Sequence, residues 1–86
     1  MAKLSARGRT ELARYTLTES SVGESAKKIR TTYAVMSDTA ILRKTDWLKE
    51  DGKLDHSGSW KFVARTKDPT LFGQGLIAKG FKQEAQ

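Results

Sequence analysis

The chain has no cysteine, a single proline and a single histidine. Without cysteine there is no disulfide framework, no thiolate nucleophile and no thiolate metal site. The one histidine, His56, stands in a loop with Asp51 and Asp55, and no further ligand follows at metal spacing. The segment Asp51–His56 lacks the oxygen pattern of a calcium loop. The segment Gly73–Gly80 has glycines but no strand-to-loop arrangement and no Lys-Ser/Thr pair, so it is no phosphate loop. No catalytic residue, metal site or cofactor is expected, and the chain reads as a non-enzyme. No run approaches the roughly 20 apolar residues of a membrane span. Residues 1–8 lack the apolar core of a secretion signal. The expected setting is the cytoplasm, with no membrane contact.

What is present is short and clustered. At 86 residues, 37% of them hydrophobic, this is one domain near the lower size limit for a self-sufficient core. The apolar residues gather in Tyr33–Leu48, Trp60–Val63 and Leu71–Phe81. The net charge of +6 is uneven: residues 27–67 carry ten Lys/Arg against five Asp/Glu, whereas residues 68–86 balance at two against two. Basic excess favours polyanionic partners through counterion release, and it is also ordinary solubilising charge.

Residues 1–8 are expected to be a flexible arm. Residues 9–18 fit a strand with Ala13, Tyr15 and Leu17 on one face, or a helix capped by Ser5; the Thr-rich end favours the strand. Residues 19–27 are polar and hold no defended element. From Lys28 the alternation is of period two, and Ser37-Asp38 suggests a two-residue turn. That turn places Val35 opposite Ala40 and Tyr33 opposite Leu42, with all four on the core face. Ala34, Met36 and Ile41 then form an apolar patch on the other face, open to a partner, a second copy or the N-terminal segment. After a charged loop, Trp60, Phe62 and Ala64 read as inward, and Lys61, Val63, Arg65 and Lys67 as outward.

Asp68-Pro69 predicts a helix start, with Asp as cap and Pro at the first helical position. Gly80 predicts its end, with Phe81 folding back in a Schellman motif. Gly73 and Gly75 weaken this helix unless close packing on the sheet compensates. The expected fold is therefore α+β: a small antiparallel β-sheet of three to four strands in a meander, with one C-terminal helix packed on one face. The domain runs over 9–82, and 83–86 is a tail.

The fragments LSARGRTELARY, MSDTAILRK and GSWKFVARTKDPTLFGQGLIAKGFK together resemble small uncharacterised proteins of tailed phages and prophages. The similarity spans most of the chain outside 19–30 and 49–57, and it implies a phage-type source without an activity. Thr39 here follows Ser37-Asp38 where Gly often stands in such turns. The strand order and charge are also similar to the small DNA-binding domains of phage integrases. Two functions are expected from these features. The first is an accessory protein that binds a host or phage protein. The second is DNA or RNA binding through Arg43, Lys44, Lys61, Arg65 and Lys67 on an open sheet face, provided that these side chains converge. Oligomeric state is left open.

Overall fold

A computed structural model describes residues 10–20 and 28–84. The expected arm over 1–8 lies outside them, as do 21–27 and 85–86. The fold is α+β, as expected, but the antiparallel sheet has six strands rather than three or four. In chain order these are β1 (Glu11–Ser20), β2 (Lys28–Met36), β3 (Ala40–Leu48), β4 (Leu54–Ser57) and β5 (Lys61–Arg65). The helix α1 (Pro69–Ala78) follows, and the short β6 (Lys82–Glu84) closes the chain. The segment expected to be a tail thus enters the sheet at Gln83 and Glu84, and the helix is not the last element. Residues 11–18 are strand, which resolves the opening segment in favour of its threonines and alternating apolar residues.

Strands β1 to β4 form a meander, whose fourth strand falls in the stretch expected to be a charged loop. Strand β5 then returns to β3, pairing with Ala40–Arg43 while β4 pairs with Asp46–Leu48. The helix carries the chain across the sheet, and β6 pairs with Arg14–Thr16 of β1 on the opposite edge.

The β2–β3 hairpin departs from the expected register. Its loop has three residues, Ser37 to Asp38 to Thr39, so Val35 stands opposite Ile41 and Tyr33 opposite Arg43. Such loops need a left-handed residue at their third position. Thr39 supplies it with φ 67°, and its N–H donates to the Met36 carbonyl at 2.9 Å. The extra residue shifts the register by one and moves each β3 side chain to the other face. Tyr15, Val35, Ile41 and Leu76 therefore form the core under the helix, with Tyr33, Phe72 and Phe81 packed against it. Ala34, Met36, Ala40 and Leu42 form a second cluster on the far face, with Trp60 against it.

The helix ends match their sequence signals. The Asp68 carboxylate accepts the Leu71 N–H at 3.0 Å, and Pro69 occupies the first turn. At the other end the Phe81 N–H reaches the Leu76 carbonyl and the Gly80 N–H the Ile77 carbonyl, each at 3.0 Å. That pair of bonds is the Schellman closure, with Gly80 at φ 109°. It turns Phe81 back onto the sheet, where its ring stacks on Tyr33 at 5.4 Å.

Candidate functional site

The five basic residues singled out by the sequence separate onto different surfaces. Alternation along β3 sends Arg43 to the helix face and Lys44 to the far face. On β5 the separation has another cause. Ile41 pairs with Ala64 and the next residue, Leu42, pairs with Phe62, so Val63 is the extra residue of a β-bulge. The bulge breaks the expected one-sided strand. Lys61 pairs with Arg43 on the helix face, whereas Arg65 pairs with Ala40 on the far face. Lys67 lies exposed in the segment before α1.

Carboxylates meet the cations of the far face. Asp46 is 1% exposed and is the acceptor for Ser57 Oγ at 2.6 Å and for an Arg30 guanidinium nitrogen at 3.1 Å. Lys44 Nζ lies 3.9 Å from the same carboxylate and 5.3 Å from the centre of the Trp60 ring. Burial pushes the Asp46 carboxyl up, but these hydrogen bonds and cations outweigh it and hold it below the usual carboxylate range. Arg14 sits over the same Trp60 ring and pairs with Glu11 at 2.7 Å. Arg65 donates to the Asp38 carbonyl at 2.7 Å and lies 3.7 Å from its carboxylate.

The proposed apolar patch is absent from the surface. Ala34 and Met36 are fully buried in the far-face cluster, and Ile41 is buried under the helix on the opposite face. The register shift in the hairpin is the reason: it places Ile41 with Val35 rather than with Ala34.

Two surfaces stand out among the described residues. One is the edge strand β5. All five of its residues are exposed, including Phe62 at 60% and Val63 at 42%, and among the described residues it pairs only with β3. Phe62 reads as core by alternation alone; it pairs with Leu42, which the hairpin shift carries to the far face, away from the helix.

The other is a groove of about 180 Å³ on the helix face, lined by Arg43, Thr45, Trp47, Gly58, Ser59 and Lys61. Gly58 shapes it. Its N–H donates to the Thr45 carbonyl at 2.8 Å, so close that a Cβ there would collide with that oxygen. Trp47 stacks on His56 with ring centres 4.6 Å apart and planes 16° from parallel. The stack accounts for His56, and among the described residues no group of His, Cys, Asp or Glu is arranged to hold a metal. Arg43 and Lys61 stand directly opposite each other, and no described carboxylate pairs with either. Like charges in such positions destabilise the pairing. The sequence signal for Trp47 was its place two residues beyond Thr45 and four beyond Arg43, which puts all three on one strand face.

No helix among the described residues is long and apolar enough to cross a membrane. No family model, curated protein or solved structure matches this chain.

Proposed function

We propose that this chain is a non-enzymatic binding module that takes up an extended segment of another protein as an additional strand along the free edge of β5. The observation that supports this reading is the edge itself, exposed throughout and apolar at Phe62 and Val63. A free strand edge presents a row of unpaired backbone donors and acceptors. Strand addition draws affinity from those groups and specificity from alternate side chains. With the phage-protein resemblance, the expected guest belongs to a phage or host protein in the cytoplasm.

The charges on β5 select the guest. Lys61 lies on the helix face and Arg65 on the far face, so two copies of β5 joined edge to edge would bring cation towards cation on both faces of the sheet. Like charges directly opposite oppose pairing, so a second copy is a poor guest. A segment that carries a carboxylate on each face, with apolar residues between them, turns both contacts into favourable pairs. The Arg65–Asp38 pair is exposed and worth about 0–1 kcal/mol, so it yields readily to a better acceptor. The bulge at Val63 and the flanking cations also restrain indiscriminate edge-to-edge association.

A charge-reversed copy of the protein serves as the test guest. Wild type mixed with a Lys61→Glu/Arg65→Glu variant is expected to form a one-to-one dimer in low-salt sedimentation. Neither protein alone should do so, and about 0.5 M salt should dissolve the dimer. A folded variant, checked by circular dichroism, that never pairs with wild type would sink strand capture at β5.

A further inference from the structure

We infer that the groove between Arg43 and Lys61, which shares only Lys61 with the β5 edge, is a second binding site, one that takes single-stranded nucleic acid. The two cations face each other across β3 and β5 with no described carboxylate to relieve them. An anion bridging the pair would turn a repulsive contact into an attractive one. The hydroxyl residues Thr45 and Ser59 line the same groove and suit a phosphate that already sits on two cations.

The neighbouring side chains narrow the ligand further. Trp47 lies in the groove wall and His56, exposed, is stacked on it. Cationic residues beside a stacking surface are the arrangement by which proteins hold unpaired bases and their backbone together. In a duplex the base faces are already stacked, so an aromatic platform has nothing to receive. At about 180 Å³ the groove is also smaller than the roughly 300–1,000 Å³ of sites that enclose a free small molecule. A strand laid across it needs no enclosure. Such a site reads backbone and ring faces, so little base preference is expected.

The test is fluorescence anisotropy with labelled dT12, a 12-base-pair duplex and ATP as separate probes across a salt series. With two phosphates engaged, the logarithm of affinity should fall against the logarithm of salt with a slope of about −1.4. Arg43→Gln should weaken dT12 binding and reduce that slope to about −0.7. His56→Ala should weaken binding about tenfold with the slope unchanged. Lys44→Gln, on the far face, should leave binding as it is. Arg43, Lys44 and His56 all lie off β5, so these results are independent of strand capture. Absence of dT12 binding at about 20 mM salt would overturn the inference, since screening is weak there. Equal loss in Lys44→Gln would show diffuse charge attraction instead. Duplex or ATP binding as tight as dT12 would overturn the single-strand assignment.

Discussion

Two glycines in one helix offer a sharp test of how the helix sits on the sheet. Gly73 and Gly75 both lie inside α1, where glycine costs about 1 kcal/mol relative to alanine. Around Gly75 an added Cβ would meet nothing within 4 Å. Gly75→Ala should therefore return most of that cost, about 0.5–1 kcal/mol, and raise Tm by about 4 °C. At Gly73 an added Cβ would collide with the Tyr15 hydroxyl and lie 2.7 Å from Tyr15 Cζ. Tyr15 belongs to the core under the helix and cannot swing aside without disturbing Val35 and Ile41. Overpacking of this kind costs about 1–3 kcal/mol, which exceeds the gain in helix propensity. Gly73→Ala should lower Tm by about 4–8 °C, the opposite sign at a position two residues away. Thermal and urea unfolding followed by circular dichroism read both shifts. Tyr15→Phe, which removes the nearest colliding atom, should recover part of the loss in the Gly73→Ala background. If both alanines stabilise equally, the close approach of α1 to β1 is wrong.

Two further substitutions probe the turn and the buried carboxylate. Thr39 holds a left-handed conformation that β-branched residues resist, so Thr39→Gly should stabilise the protein by about 1 kcal/mol in urea unfolding. A loss of stability there would mean that the Thr39 side chain, rather than the backbone shape, holds the hairpin. Asp46→Asn removes the charge that accepts from Ser57 and Arg30 and should cost about 1–3 kcal/mol at neutral pH, towards the lower end because Arg30 reaches water. The folded-state value of Asp46 is depressed, so its stabilisation is present above the ordinary carboxylate range near pH 4 and is lost as pH falls through the lower folded value. The gap between wild type and Asp46→Asn should accordingly close as unfolding is measured from pH 6 down to pH 3. A gap that stays constant would assign the cost to packing rather than charge.

Elements marked by local chemistry were legible in the sequence. Asp68-Pro69 and Gly80 act within four residues of themselves, through a cap bond and a positive φ, and both ends of α1 fall where those residues place them. Alternation from Lys28 to Leu48 located β2 and β3, because one buried face imposes a period of two. Strands β4 and β6 carried no such mark. Every residue of each is exposed, so Leu54–Ser57 and Lys82–Glu84 follow no apolar pattern; their backbone partners on β3 and β1 hold them.

The candidate sites were less legible because they depend on parity. A strand assignment survives an error of one residue, but the face of every side chain does not. One extra residue at Thr39 moved Ile41 beneath the helix and left Arg43 beside Tyr33 rather than behind it. The same shift carried Leu42 and its partner Phe62 to the far face, where Phe62 is exposed, and one extra residue at Val63 put Lys61 and Arg65 on opposite faces. Neither insertion has a composition of its own: a Gly at 39 would have announced the turn, and Val63 is an ordinary strand residue. The two shifts compound. With the two-residue hairpin and no bulge, Lys61 and Arg65 would share an outward face. With both insertions, Lys61 meets Arg43, whereas Arg30 and Lys44 meet Asp46, Arg65 meets Asp38 and Arg14 meets Glu11. Of the cations in the basic stretch, Arg30, Lys44 and Arg65 are thus engaged by carboxylates, and among the described residues one like-charged pair beside a tryptophan and the exposed β5 edge stand out for binding.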